Sequence, residues 1–490
     1  MEKKTKIVAT IGPSSEKKET LREMIKNGMN VARLNFSHGD YSSHKAVIEN
    51  IRDLSKELGE SIGIMADLQG PRIRTSVENE IEIKKGEKVI ISDISKNPES
   101  QSAGWRTNFK SFYLDCPGII QDIEIGNTIL IEDGLLSVKV IEKNSEFLKA
   151  EVIDAGIIKD EKGVNIPDAK LKIPPITEKD EKDLEFSLKN EVDFVAMSFV
   201  SNAKDIEDLR NKIKKILGHE PARNASHSDA GGNNLPQIVA KIERKEAIEN
   251  LDEIIEATDA VMVARGDLGI EINETKVAIL QKEIIAKSIN SLKPVIVATE
   301  MLSSMIQNPR PTRAEVSDVT NAVIDHTDAV MLSGESANGK YPAETVKTMA
   351  EIIANTEESP YDDICNFNIR QELSNEYVNF IKNSCSLLAN SNAKAVAILS
   401  RGGFTARVIS HFRPIQMILV GTNNEKTYYQ SSLVWGIKAS LLKNGKIDEV
   451  IEYLLKKAQN DKLLETGDKV VIIGKNDDRK HRFVNIREIQ

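Results

Sequence analysis

The sequence predicts an α/β protein: a (β/α)8 TIM barrel interrupted by an inserted β-rich lid domain and followed by a C-terminal α/β domain. Three observations carry this. A unit made of a short apolar run, a polar residue or glycine, and a stretch of helical periodicity recurs eight times. Between the third and fourth runs lies a gap of about 125 residues whose pattern changes to short β-rich segments. After Glu357 the β/α rhythm restarts. At roughly 150 residues per domain, 490 residues also suggest three domains.

In chain order, the barrel strands are expected at Lys6–Ile11, Val31–Phe36, Ile62–Leu68, Val192–Phe199, Gln237–Ile242, Ala260–Ala264, Pro294–Ala298 and Ala329–Leu332. Helices are expected at Lys17–Asn27, Tyr41–Leu58, Glu178–Lys189, Ala203–Leu217, Lys276–Ser291 and Arg313–Asp325. The inserted domain shows β runs at Glu80–Ile83, Lys88–Ile91, Thr128–Ile131 and Leu135–Ile141, divided by Lys-Gly-Glu, Gly-Asn and Glu-Asp-Gly turns. Pro174 and Pro175, then Thr177 as an N-cap, mark the return to the barrel. The last domain reads as a helix at Glu372–Ala389, strands at Ala395–Leu399 and Met417–Val420, and a final pair near Val470–Ile473 and Val484–Ile486. The expected boundaries are 1–70 and 168–357 for the barrel, 71–167 for the lid and 358–490 for the C-terminal domain. His219–Leu235, polar and without periodicity, reads as a surface loop.

With 66 basic against 75 acidic residues the formal charge is −9, so bulk electrostatics attract neither nucleic acid nor an anionic membrane. An anionic ligand must be captured by local positive charge. Cys116, Cys365 and Cys385 are odd in number and lack metal-ligand spacing, which suits free thiols in a reducing compartment. The opening MEKKTKIVATIG has too short an apolar stretch for a signal peptide, and no run approaches the ~18 residues of a membrane span. The expectation is a cytoplasmic protein without a membrane partner.

Chemistry in such barrels gathers where the strands end. There this chain places Arg33, Asn35 and Ser37 after the second strand, Asp67 after the third, and Lys241 and Glu243 after the fifth. Arg265 and Asp267 follow the sixth, Thr299 and Glu300 the seventh, and Ser333 and Glu335 the eighth. Alternation puts Lys241 and Glu243 on one strand face. They can form a plain ion pair. Alternatively Glu243 and Asp267, the latter on a loop flanked by glycines, can hold with the lysine between them a hard divalent cation that keeps waters free for phosphate oxygens. Arg33 and Arg74 add charge suited to phosphate. The residues alone therefore point to a Mg2+-dependent enzyme handling a phosphorylated small molecule by positioning and charge neutralisation.

The segments KTKIVATIGPSS, GMNVARLNFSHGDYSSH, DLQGPRIRT, KGVNIPD, IVAKIERKEAI, VMVARGDLGIEI, PRPTRAEVSDVTNAV and AVMLSGESANGKYP resemble the pyruvate kinase family, in its order and spacing. The resemblance runs over nearly the whole chain. It implies phosphoryl transfer from phosphoenolpyruvate to ADP, giving pyruvate and ATP in glycolysis. Glu243 and Asp267 would be ligands of Mg2+ or Mn2+, and Lys241 would stabilise the moving phosphoryl group. Thr299 would belong to the pocket that delivers a proton to the enolate carbon. Substrate would meet Arg33 and the backbone of Arg265, Gly266 and Asp267. Asn35, Ser37, Asp67 and the carbonyl of Leu68 match a monovalent-cation site, while Asn35, His38, Arg74 and Lys162 lie on the nucleotide side. PRPTRAE, Pro309 to Glu315, matches a segment near subunit contacts and implies a homotetramer.

The chain also departs from the family pattern. Glu300 stands where Gln or His is usual, and SRGGFTAR, with Ser400, Gly402, Gly403 and Thr405, resembles a phosphate-gripping effector loop but is equally a strand–turn–helix joint. The closing GKNDDRKHR departs strongly. Where many members carry Thr, Lys and Glu, with the acidic residue accompanying K+, this chain has Leu68, Gln69 and Arg72. A permanent charge on Arg72 implies an enzyme that needs no potassium: at ~4 Å and an effective dielectric of about 20 a unit charge is worth on the order of 4 kcal/mol. Two other readings are a lyase of the aldolase kind acting on phosphoenolpyruvate or pyruvate, which would need neither lid nor ADP site, and a catalytically dead metabolite sensor, against which Lys241, Glu243 and Asp267 all stand.

Overall fold

Eight parallel strands close into a barrel in the computed structural model, which describes residues 3–93, 109–218, 234–362, 369–475 and 481–490. The barrel strands are Lys6–Ile11, Val31–Asn35, Gly63–Asp67, Phe194–Met197, Gln237–Ile242, Ala260–Ala264, Val295–Ala298 and Ala329–Leu332. Each pairs in parallel with its sequence neighbour, and the first closes on the last through Lys6 opposite Ala329. All eight expected strands are present. Most of the expected 219–235 loop, Cys365 and residues 476–480 of the closing stretch lie outside the described residues.

Alternation divides the side chains into two cores. Val8, Val31, Met65, Phe194, Val239, Met262, Ile296 and Met331 fill the barrel interior, while neighbours such as Ile7, Ala32, Ile64, Val195 and Ile238 pack outward against the helices. Burying each such aliphatic contributes about 1.5–3 kcal/mol relative to exposure. Following the inward period of two upward from Val31, Met65, Ala196 and Val239 leads to Arg33, Asp67, Ser198 and Lys241. The apolar layers thus end in a polar rim. At the opposite end Leu433, from the C-terminal region, joins the interior cluster.

Helix starts follow local chemistry. Asp40, Thr177, Asn202 and Thr312 each accept from the backbone N–H three residues on and donate their own backbone N–H to that residue's side chain, forming capping boxes. The helices Tyr41–Leu58 and Glu178–Lys189 have the expected bounds.

The insertion is itself a closed seven-stranded β barrel with its own core, including Val89, Phe112, Ile129, Val138 and Leu148. It rejoins the main barrel through few polar ties: Asn165 Nδ2 donates to Glu271 Oε1 at 2.9 Å, and Lys245 lies 3.6 Å from Asp168. At its entry Gly70 has φ 68, and a Cβ there would sit 2.9 Å from the Phe199 ring. A side chain at this joint would be both strained and obstructed.

The C-terminal domain holds a five-stranded sheet, four strands parallel and Arg482–Glu488 antiparallel at one edge. Its strand Ile437–Leu441 was not anticipated: IKASL is short and bounded by no clear turn pair, and parallel pairing with Met417–Thr422 fixes it. The expected helix from Glu372 begins at Glu376, because Asn375 caps it by accepting from Tyr377 and Val378 N–H.

Candidate active site

The polar rim gathers the strand-end residues into one connected network. Arg33 meets Asp67 Oδ2 through Nε and Nη2, each at 2.6 Å, and donates through Nη1 to Thr10 Oγ1 at 2.8 Å. Lys241 Nζ lies 2.8 Å from Glu243 Oε1 and 3.3 Å from Asp67 Oδ1, and donates to Ser198 Oγ at 2.8 Å. Ser198 Oγ in turn donates to the carbonyl of Leu68 at 2.8 Å. The lysine ammonium therefore sits between Glu243 and Asp67, not between Glu243 and Asp267 as the spacing alone suggested. All four charged groups are buried.

Opposed charge sets the protonation states. Burial works to lower the Lys241 ammonium, but Asp67 and Glu243 outweigh it and hold the lysine above its usual value. Burial works to raise Asp67, while Lys241 and Arg33 hold its carboxyl below the usual range. Glu243 goes the other way: burial pushes it up to about 7, Lys241 opposes, and the charge of Asp267 adds to the rise. Two carboxylates thus share one region with too little positive charge to satisfy both.

That imbalance is the test of fit for a divalent cation. Glu243 Oε2 accepts from Phe199 N–H at 2.8 Å, whereas the buried Oε1 accepts no well-aligned hydrogen bond beyond its ion pair with Lys241. No cluster of three or more His, Cys, Asp or Glu forms a metal cage among the described residues. A pair of carboxylates fits Mg2+ or Mn2+, which bind through one or two carboxylates and complete their shell with water and substrate oxygens.

The segment ARGDLG is not a loop. Arg265–Glu271 forms a short helix directly after the sixth strand, with Asp267 in its first turn. The Gly266 N–H, one of the first-turn donors without an intrahelical acceptor, is met from outside the segment: it donates to Thr299 Oγ1 at 2.8 Å, and Thr299 Oγ1 donates on to the carbonyl of Ala298 at 2.6 Å. Thr299 and Glu300 both lie in the left-handed region, at φ 69 and φ 55. Arg265 wraps this turn, donating to Thr299 O at 2.6 Å and Ala298 O at 3.2 Å, with Asp318 at 2.8 Å. Glu300 is exposed.

Other expected residues are placed more loosely. Asn35 Oδ1 accepts from Ser37 N–H at 3.1 Å. The His38 side chain is exposed, and its carbonyl meets His44 Nε2 at 3.0 Å. Arg74 and Lys162 are near neighbours across a strand pair of the insertion, where Thr75 N–H donates to Lys162 O, and Lys162 Nζ pairs with Glu132 at 2.6 Å. Arg72 is exposed. Glu335 is a structural residue rather than a strand-end reactant: it is buried and accepts from Leu302 and Ser333 N–H at 3.1 and 2.7 Å. In the C-terminal domain Ser400 Oγ accepts from Gly403 N–H at 3.1 Å, Gly403 has φ 75, Thr405 is bonded to the Tyr377 hydroxyl, and Gly402 lies between them.

Ser198 and Thr10 were missed. No polar residue was assigned to the ends of the first and fourth strands, although the inward period from Val8 and from Phe194 and Ala196 reaches both.

Residues 2–346 match the family profile described as pyruvate kinase, barrel domain, and residues 380–490 match pyruvate kinase, alpha/beta domain. The chain belongs to the pyruvate kinase family. It is 40% identical over 480 residues to a pyruvate kinase of Geobacillus stearothermophilus and 42% identical over 480 residues to one of Staphylococcus saprophyticus, in each case over 96% of this chain and 77% of the relative. A crystal structure of a pyruvate kinase from Cryptosporidium parvum superposes with a TM-score of 0.88 at 34% identity, covering 100% of this chain and 96% of that one. Membership makes the chain a kinase, with the barrel, second β barrel and C-terminal α/β domain that the pyruvate kinase fold comprises. No helix among the described residues is long and apolar enough to cross a membrane.

Proposed function

We propose that the protein transfers the phosphoryl group of phosphoenolpyruvate to ADP, giving pyruvate and ATP in cytoplasmic glycolysis. The observation that supports this most is the rim where Arg33 and Lys241 adjoin Asp67, Glu243 and, by its charge, Asp267. In the reaction the bond from phosphorus to the enol oxygen breaks and one to a β-phosphate oxygen of ADP forms. Arg33 and Lys241 carry fixed positive charge toward the phosphoryl oxygens, and their buried ion pairs keep both oriented without reorganisation. Glu243 and Asp267 would hold Mg2+ or Mn2+, which when bound neutralises phosphate charge. The Arg265–Gly266–Asp267 backbone holds the substrate carboxylate, and Thr299, oriented by Gly266, lies where the enolate carbon takes up its proton. Asn35, His38, Arg74 and Lys162 serve ADP.

A lactate-dehydrogenase-coupled assay tests this reading. Activity requires phosphoenolpyruvate, ADP and Mg2+ together, and turnover that persists without ADP would sink it.

Independence from K+ is the finer part of the proposal. Its support is the permanent charge of Arg72 at the end of the DLQGPR segment, together with the two cations already on Asp67; the exposure of Arg72 weighs against it. A K+ titration at constant ionic strength should be flat, and activation of about tenfold or more, equivalent to about 1.4 kcal/mol, rejects it. We also propose a homotetramer, checked by light scattering, and a phosphate-bearing effector at Ser400, Gly402, Gly403 and Thr405, checked by whether Thr405→Ala removes an effector response.

A further inference from the structure

We infer that the seam between the barrel floor and the C-terminal domain binds a small inorganic monovalent anion of chloride's size. A cavity of about 20 Å³ lies there, lined by Lys293, Asp328, Arg407 and Arg413 among others. Room for a single water or small ion begins at roughly 10–15 Å³.

The charges around it do not balance. Arg413 is almost wholly buried, with a side chain 3% exposed; it pairs with Asp328 at 3.2 Å and donates to His326 O and Ser410 O, yet its buried Nε has no acceptor. The half-buried Arg407 guanidinium makes no hydrogen bond or ion pair among the described residues, and Asp259 reaches it only through space. Lys293 donates to the carbonyls of Glu256 and Thr258, which satisfy its protons without cancelling its charge. Asp259 is itself paired with Arg210 at 2.9 Å. Four cations, Arg210, Lys293, Arg407 and Arg413, thus face three carboxylates, Glu256, Asp259 and Asp328, and 4 − 3 leaves an excess of one positive charge.

A buried N–H left without an acceptor, here Arg413 Nε, is costly. A water would accept it but leave the excess charge in place, whereas a monovalent anion would accept it and cancel that charge. Arg407 lies on helix Phe404–His411, directly after the Ser400–Thr405 segment, so the ion would tie that helix to the floor of the barrel.

Crystals of the full chain grown without halide and transferred to sodium bromide test the site. The expected result is an anomalous bromide peak in the cavity, within hydrogen-bond distance of Arg407 or Arg413 Nε. Peak density without anomalous signal, meaning water only, or no peak, overturns the proposal. In solution, at constant ionic strength, replacing gluconate by chloride should raise the melting temperature by about 1 °C for each tenfold step above the dissociation constant. Arg407→Met should abolish that dependence, and an equal response in both proteins overturns the assignment. Should Arg407→Met not fold, the bromide experiment on the unaltered chain decides alone.

Discussion

Asp318, on helix Arg313–Ile324, holds the Arg265 guanidinium at 2.8 Å while the same guanidinium binds the carbonyls of Ala298 and Thr299. The pair acts as a brace on a turn where two consecutive non-glycine residues, Thr299 and Glu300, occupy the left-handed region. Such residues cost on the order of 1–3 kcal/mol each and persist only where their surroundings over-determine them. Asp318→Ala is expected to lower kcat about tenfold by loosening Thr299 against Gly266, with KM for phosphoenolpyruvate little changed. Asp318→Asn, which still accepts a hydrogen bond, should recover most of the rate. Equal losses in both variants would show that charge at position 318, not orientation of the turn, matters.

Lys241 faces Glu243, Asp67 and Ser198 at once. Lys241→Met should keep the fold and lower kcat by at least about 10², the size of losing one preorganised charge at a developing anion. Affinity for phosphoenolpyruvate, measured by equilibrium titration, should change far less. A variant that keeps most of its turnover would reduce Lys241 to a strand-face ion pair.

Asp67 is the common partner of both buried cations. Asp67→Ala strands Arg33 and Lys241 together, and removal of one member of a buried pair costs about 3–5 kcal/mol. The expected readout is a lower urea midpoint at unchanged slope. A midpoint within error of the parent would mean that Glu243 and Ser198 alone satisfy the cations.

The insertion meets the main barrel through Asn165 and Glu271 as well as Asp168 and Lys245, and the second Glu271 oxygen is buried without a hydrogen-bond partner. We expect this unit to close over the strand ends when Mg2+ and nucleotide bind, excluding water from phosphoryl transfer. The radius of gyration by small-angle scattering should fall on adding both. Identical scattering from apo and fully liganded protein would count against closure.

Much of this was legible in one dimension. Short apolar runs at β/α spacing located all eight barrel strands, since a parallel strand buried on both faces must read as an uninterrupted apolar run. The proximity of Lys241 and Glu243 followed from the same alternation. Capping chemistry at Thr177 is equally local, because a hydroxyl and the third N–H of a helix are neighbours in sequence.

Contacts between distant segments were decided only by the closed barrel. Nothing in ARGDLG announces that its glycine N–H will be taken by Thr299, 33 residues on, and that bond accompanies a helix where the glycines suggested a loop. Glu335 reads like a strand-end acid until the fold turns it toward the backbone of Leu302 and Ser333. Ser198 becomes a bridge between Lys241 and Leu68 only because the third, fourth and fifth strands are adjacent. The sequence by itself determined which residues face inward, a consequence of backbone geometry within each strand. Which inward residues meet was decided by barrel closure, because it fixes the relative height of strands that the chain separates by 322 residues in the case of Thr10 and Leu332.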